Sequence, residues 1–405
     1  MKERRMTPAS ATLRHVILRP LLEQGAACPL DVMFVLNSLS VGGSESKVVR
    51  LANRLRERGA EIGLAYLNGP HVLLRQIRPD IPVWHLDRRG KYSLSTLVAL
   101  RHLVREQRPR NVVAVSLYPT LYVLGATRGM RRRPRAIGLI NTTTFNPGQE
   151  WRGRVYRPVL RWLDWTVYGS EVQRRAWLSE SAPAQRRSCV IYNGVDVRHF
   201  RAMHDAVALR EQRRRLGIAE RAVLVGTVGR LAPEKGQSAL IDALARARAA
   251  GADVHLLIVG DGPMRARLEQ HAARRGVSAQ VTFAGAVLDV RPLLAIMEVF
   301  VLPSRYVETF SNAALEAMAM GKPLILSEIG GAREMIDDGV EGYVVPIEDI
   351  ERRLPELLLR LAQDRRLRER LGRAATRRAR SAFSLEAMID RYSELFGCPL
   401  YGRGA

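Results

Sequence analysis

Two cations and two carboxylates give this 405-residue chain its clearest chemical signature. Arg230 and Lys235 lie in Gly229-Arg-Leu-Ala-Pro-Glu-Lys-Gly236, directly after an apolar run. Flanking a short loop at a strand end, they can neutralise a diphosphate. A lysine at the head of a helix opposes the helix dipole, and a bound anion relieves that conflict. Glu308 and Glu316 lie in Glu308-Thr-Phe-Ser-Asn-Ala-Ala-Leu-Glu316. The first should precede a helix that starts near Ser311 or Asn312, and the second should sit in its second turn. Helix starts favour anions, because their first amides lack partners and the dipole is positive there. Acids beside such a site suggest a polyol, whose hydroxyls donate to carboxylates. Eight residues of ideal helix span roughly 12 Å, so the two acids suit two ends of an extended ligand rather than one proton or one metal. The plainer alternatives are a loop with stray charges and a solvated helical glutamate.

Two glycine turns accompany these groups. Ser38-Leu-Ser-Val-Gly-Gly-Ser-Glu45 joins a strand-like run to a helical one, and Gly42 and Gly43 let a backbone approach a phosphate. It matches neither a Walker loop nor G-x-G-x-x-G, and a tight turn alone explains it equally well. Gly260-Asp-Gly-Pro263 lacks the third glycine of a dinucleotide loop and reads as a structural turn, with Pro263 at the first helical position.

The elements that must position these residues alternate. Strand-like runs near 31–37, 61–67, 82–86, 111–117, 136–141, 165–170 and 188–193 are mostly separated by helical stretches. A second series begins at 221–229 and continues near 254–260, 281–285, 299–304, 323–327 and 341–346. Such alternation predicts βαβ units and parallel sheets covered on both faces, with ligands at the carboxyl ends of the strands. The reading is α/β with two doubly wound Rossmann-like domains. A basic extension covers 1–29, an N-terminal domain 30–200 and a C-terminal domain 201–382. The helix in 383–405 should return to the first domain.

The chain carries 64 basic and 40 acidic residues, a net charge of +24. That field attracts anionic substrates, anionic lipid or nucleic acid, although solvated arginine-rich helix faces also produce it. Arg131-Arg132-Arg133 and Arg213-Arg214-Arg215 read as loops or helix faces without the interleaved aromatics of a single-strand binding groove. No run reaches the roughly 18–20 apolar residues of a membrane span. Three scattered cysteines fit neither a disulfide framework nor a zinc site, which points to a reducing cytoplasm. No histidine cluster has metal-ligand spacing.

The order of these motifs resembles the retaining nucleotide-sugar glycosyltransferases of the GT-B fold, the glycosyl transferases group 1 (glycosyltransferase family 4). The resemblance runs from LNSLSVGGSESKVVRLANRL through IYNGVDVRHF, VGTVGRLAPEKGQSALIDAL and LLIVGDGPMRARLE to VFVLPSRYVETFSNAALEAMAMGKPLILSEIGGAREMIDDGVEGYVVP. It implies two domains facing across a cleft. It implies that Arg230 and Lys235 bind the donor diphosphate and stabilise the leaving group. Glu308 would bind hydroxyls of the donor sugar and Glu316 those of the ribose. Phe310, Ser311 and Asn312 would offer amides, while Gly42 and Gly43 close from the other domain. No metal and no cofactor is implied. Many relatives carry a histidine where this chain has Asn141-Thr-Thr-Thr-Phe145. Asn141 and Thr142 can hydrogen-bond the sugar or acceptor but cannot act as a base near neutral pH. Thr309 stands where relatives commonly have glycine and reads as a minor change.

The expected activity is transfer of a hexose-type sugar from a UDP- or GDP-sugar to a glycan or lipid-linked acceptor, in cell-surface polysaccharide or glycolipid biosynthesis. The expected location is cytoplasmic, peripheral on the inner face of the membrane, with the basic surface meeting anionic lipid. A nucleotide-sugar epimerase or hydrolase of the same fold is the alternative. A non-enzymatic basic protein binding nucleic acid or membrane would leave Glu308 and Glu316 without a task.

Overall fold

The computed structural model describes residues 29–40, 42–90, 92–141, 151–178, 187–203 and 205–398. Apart from Pro29, the basic extension lies outside them. The first sheet comprises β1 (Val32–Leu36), β2 (Ile62–Tyr66), β3 (Val83–His85), β4 (Asn111–Val115), β5 (Arg135–Ile140), β6 (Trp165–Tyr168) and β7 (Ser188–Val190). The second comprises β8 (Val223–Val228), β9 (Val254–Val259), β10 (Val281–Gly285), β11 (Val299–Leu302), β12 (Leu324–Ser327) and β13 (Gly342–Val345). Around the first sheet lie α1 (Gly43–Glu57), α2 (Leu94–Gln107), α3 (Leu117–Thr127), α4 (Trp151–Leu160) and α5 (Glu171–Leu178). The second series contains α6 (Ala206–Arg215), α7 (Gln237–Ala249), α8 (Arg265–Arg274), α9 (Arg291–Ile296), α10 (Asn312–Ala319), α11 (Ala332–Met335), α12 (Ile350–Gln363), α13 (Arg365–Ala382) and α14 (Leu385–Phe396).

Strand order is β3-β2-β1-β4-β5-β6-β7 in the first sheet and β10-β9-β8-β11-β12-β13 in the second. Every pairing is parallel. The fold is therefore α/β, with two doubly wound parallel sheets. The central strands are β-branched and buried along their length, as VMFVL and VFVL are, because helices cover both faces. In both sheets the strand order reverses beside the first strand, at β1/β4 and at β8/β11, and such a switch point opens a crevice at the carboxyl ends.

Contacts away from the cleft help tie the two sheets together. The Glu334 carboxylate on α11 accepts from the Glu171 and Val172 amides at 2.7 and 2.8 Å, capping α5 from the other series. Asn193 Nδ2 donates to Phe310 O at 2.7 Å. The last helix, α14, packs on α1: Ile389, Tyr392 and Phe396 join Phe34 in one buried cluster, and Arg58 bonds Glu386 and Asp390.

The charge has a structural share. Arg213 is buried, bonding Glu298 at 3.1 Å and the carbonyls of Ala219 and Ala222. The triplet is thus not a uniform surface face; only Arg214 and Arg215 are exposed, paired with Glu211. The Gly260-Asp-Gly turn also differs from its sequence reading at the helix start. α8 begins at Arg265, with Met264 as N-cap, so Pro263 precedes the helix. Its glycines are required by close approach: a Cβ on Gly260 would stand 2.0 Å from Gly229 O, and one on Gly262 would stand 2.4 Å from Leu231 O. The turn thereby buttresses the loop that holds Arg230.

Candidate functional site

The loop after β8 turns through Pro233–Lys235 and enters α7 at Gly236, whose φ of +67° is left-handed. A Cβ there would lie 2.0 Å from Pro303 O, so only glycine lets this loop meet the end of β11. The close approach delivers Lys235 to the loop between β11 and α10. Lys235 Nζ bonds Glu308 Oε2 at 2.7 Å, and Ser304 Oγ reaches the same oxygen at 3.3 Å. Both charged side chains are largely buried, at 22% and 17% exposure. Arg230 lies differently: it is exposed and pairs with the buried Glu234.

α10 follows from its sequence. Ser311 is the N-cap, its side chain accepting from Ala314 N at 3.3 Å. Ala, Leu and Met then favour helix, and Gly321, at φ +74°, ends it. Phe310 turns its ring inward, against Tyr192 and Phe383 at 4.9 and 5.2 Å. Its contribution to the cleft is therefore backbone. Behind the Glu308 loop stand Gly330 and Gly331; Gly331 N donates to Thr309 O at 2.8 Å, and a Cβ on Gly330 would stand 2.2 Å from Glu308 O. Glu308, Thr309, Ser311, Ser304 and Gly331 line a small cavity.

The first domain meets this edge through one face of α1. Asn312 Nδ2 donates to Gly43 O at 3.0 Å, and Arg50 Nη1 lies 3.6 Å from Glu316 Oε1. Gly43, Lys47 and Arg50 recur at helical spacing, opposite Asn312 and Glu316 on α10. Gly42 is the extended N-cap of α1, with no side-chain cap. Burial pushes the Glu316 carboxyl above the usual carboxylate range, and Arg50 opposes that shift. Burial likewise pulls the Lys47 amine down to about 8, aided by Arg50. The Oδ1 atom of Asn312 is buried with no hydrogen-bond partner.

Asn141 ends β5. Its Nδ2 reaches Ser116 Oγ at 3.4 Å, and its carbonyl accepts from Thr309 Oγ1 at 3.1 Å. Thr309 is therefore more than a minor replacement for glycine: its hydroxyl binds the two domains at the cleft. Thr142 lies outside the described residues. The structure thus brings Lys235, Glu308, Asn312, Glu316, Gly43 and Asn141 to one cleft, with Arg230 on its exposed side. Sequence reasoning missed Lys47 and Arg50, although their spacing from Gly43 on an amphipathic helix was a usable signal. Among the described residues, no group of three or more His, Cys, Asp or Glu is placed to hold a metal ion.

Chemically, the arrangement offers two cations, a helix start and two carboxylates in line. A ligand with a central anion and hydroxyls on either side matches that order.

The family model for Glycosyltransferase Family 4 matches residues 41–199, and that for Glycosyl transferases group 1 matches residues 209–378. The alpha-D-kanosaminyltransferase of Streptomyces kanamyceticus is 33% identical over 231 residues, covering 56% of this chain and 57% of that protein. The GDP-mannose-dependent alpha-mannosyltransferase of Mycobacterium tuberculosis is 34% identical over 210 residues, covering 52% and 51%. The chain thus spans about half the length of these curated relatives. Among solved structures, Anabaena HepE in complex with UDP and glucose is similar in fold, with a TM-score of 0.80 and 22% identity over 91% of this chain and 100% of that one.

Proposed function

The chain belongs to the group 1, family 4 glycosyltransferases, and from that premise we propose that it moves a hexose-type sugar from a UDP- or GDP-sugar to a glycan or lipid-linked acceptor, with retention at the anomeric carbon. The observation that carries this reading is the Lys235–Glu308 contact at 2.7 Å, with Glu316 in the second turn of α10 and facing the other domain. The donor diphosphate takes Lys235, Arg230 and the first amides of α10, with Gly42 and Gly43 closing over it. Glu308 accepts from hydroxyls of the transferred sugar, and Glu316 from those of the ribose, where it exchanges Arg50 for a neutral donor. Asn312 Oδ1 accepts one further donor of the bound nucleotide sugar.

Charge develops on the leaving diphosphate as the bond from C1 to its oxygen breaks. Lys235, held in the partly buried cleft, and the exposed Arg230, which must exchange Glu234 for the ligand, stabilise that charge, so that the transfer needs no metal. Asn141 is no base, and resemblance to the retaining members of the family implies that the acceptor attacks from the face the diphosphate leaves. Its oxygen bonds C1 while its proton passes to a departing phosphate oxygen. The net basic charge supports a peripheral location at anionic membrane, where lipid-linked acceptors reside. No helix among the described residues is long and apolar enough to cross a membrane.

Measuring nucleoside diphosphate release with acceptor present tests these roles. Lys235→Ala and Glu308→Gln should each lower turnover by about 10²–10³-fold, and a chelator should leave wild-type turnover unchanged. Variants as active as the wild type would refute the assignment.

A further inference from the structure

The outer face of α13 carries a row of cations that the donor cleft does not use. Eight of its 18 residues are arginine and one is acidic. Arg366, Arg370, Arg373, Arg377 and Arg380 recur at alternating intervals of four and three. On a helix that spacing sets them within about 80° of arc, in a line about 21 Å long. All five are exposed. The opposite face is fixed in the core: Leu367 and Leu371 join one buried cluster, Ala375 and Ala379 another. A Cβ on Gly372 would collide with the Gly321 carbonyl, so α13 lies hard against the end of α10. The row therefore keeps one outward direction, set relative to the helix that carries Glu316.

Among the described residues, none of these five arginines forms an ion pair. The acids that border them are already taken: Glu369 pairs with Arg365 at 2.8 Å, and Asp337 with Arg378 at 2.5 Å. Like charges three and four positions apart on a helix repel, and this row sets four such neighbours in succession. Arg365 and Arg366 also open the helix, where the dipole favours anions, and its first turn holds no acid. Other arginines of this chain are neutralised, Arg213 by Glu298, Arg58 by Glu386 and Asp390, and Arg333 by Glu328. Cations stacked in line make a helix less stable than alternating charges do, and an anionic surface removes that conflict.

The chemistry of the row selects among anionic surfaces. α13 has no aromatic and no amide side chain, so it can neither stack on bases nor read their edges. It offers charge along a rigid line, which phospholipid headgroups meet without further recognition. Arg370 Nη1 donates to the Gly339 carbonyl at 3.4 Å, which puts the exposed Val340 at the edge of the row, an apolar side chain for the headgroup layer.

We propose that the outer face of α13 is the surface by which this protein lies on an anionic phospholipid bilayer. Arg366, Arg370, Arg373, Arg377 and Arg380 meet headgroup phosphates. The inference rests on the membrane location proposed above and gives it a place, on the second domain and on the helix that backs α10.

Co-sedimentation of the full chain with vesicles tests it, using phosphatidylcholine alone and phosphatidylcholine mixed with phosphatidylglycerol. The protein should bind the mixed vesicles, release them as salt rises, and leave the neutral ones unbound. Arg366→Gln, Arg373→Gln and Arg380→Gln combined should weaken binding by about a hundredfold. Arg75→Gln, Arg105→Gln and Arg131→Gln combined remove the same charge from exposed positions of the first domain; they should weaken it by less than about threefold. The α13 variant should melt no lower than the wild type, since it separates the like charges. Equal loss in both triple variants would reduce the effect to net charge. Wild-type binding by the α13 variant would put the contact elsewhere, and a lower melting temperature would give the arginines a structural task. Binding of duplex DNA without binding of anionic vesicles would replace the bilayer by nucleic acid. Each of these results overturns the inference. Nucleoside diphosphate titrated alone tests the transferase reading separately: its failure to bind the wild type overturns that reading, whereas intact nucleotide binding without α13-dependent vesicle binding overturns the docking surface only.

Discussion

The polar groups at the carboxyl edges of the two sheets stand in opposite states. On the second sheet the charged groups are already paired: Lys235 with Glu308, Arg230 with Glu234, and Glu316 with Arg50 across the domains. On the first sheet, Tyr66, His85, Arg88 and Tyr118 each hold a buried polar atom with no partner. The paired side is held in shape by its own ion pairs, and a ligand must exchange them. The unpaired side already bears the cost of burial. Changes on the paired side should therefore hurt function, and shape where they break the packing of its loops, whereas removing an unpaired group on the other side should barely disturb stability.

The largest effect should come from the paired side's geometry. Gly236→Ala puts a Cβ against Pro303 O in a left-handed turn. It should cost about 2–5 kcal/mol, from conformational strain plus overpacking, read as a lower denaturation midpoint, and it should displace Lys235. An unchanged midpoint would mean that the loop is not packed as described.

Glu316 comes next. Glu316→Gln should raise the donor KM by about 10–100-fold with a smaller change in kcat, since a charge-assisted hydrogen bond is worth about 1.5–3 kcal/mol. The same variant has a pH signature. Burial raises the Glu316 carboxyl in the folded protein, so the folded state keeps this proton to higher pH than the unfolded chain. The contribution of this group to stability therefore falls as pH rises from the ordinary glutamate value through the raised one. Without ligand, Glu316→Gln should melt higher than the wild type at neutral pH, and the gap should close on acidification. A gap that widens in acid would contradict the sign.

The smallest effect should be Tyr66→Phe. It deletes an unpaired hydroxyl, so stability should hold or rise by up to about 1 kcal/mol. A loss above that would reveal a partner for the hydroxyl and remove one contrast between the two sides.

The same contrast explains what could be read from the sequence. The alternation of apolar runs and helical stretches marks both sheets, because the strands are short and apolar and the central ones are buried on both faces, although β7 and β10 are only partly buried. The paired side rests on contiguous segments, Gly229–Gly236 and Glu308–Glu316, where spacing alone suggests a shared cleft. Even there, partners distant in sequence stayed hidden. Arg50 meets Glu316 across 266 positions of chain, and Thr309 reaches Asn141 only through the tertiary fold. The burial of Arg213, and hence the structural share of the charge, depends on Glu298 and two carbonyls that no local pattern marks. The unpaired side draws on β2, β3, the loop after it and α3. Its members are single aromatic, histidine and arginine residues, each with an ordinary local reading.

The central claim is that the paired side grips a nucleotide sugar at its diphosphate and at its two ends. Thermal unfolding with UDP, GDP, ADP and their sugars tests it most directly. A ligand at a hundred times its Kd should stabilise the protein by about 2.7 kcal/mol. The account predicts saturable stabilisation by a uridine or guanosine diphosphate ligand, sharply reduced in Lys235→Ala and in Glu316→Ala. No stabilisation by any of these nucleotides, or equal stabilisation of wild type and both variants, would contradict it.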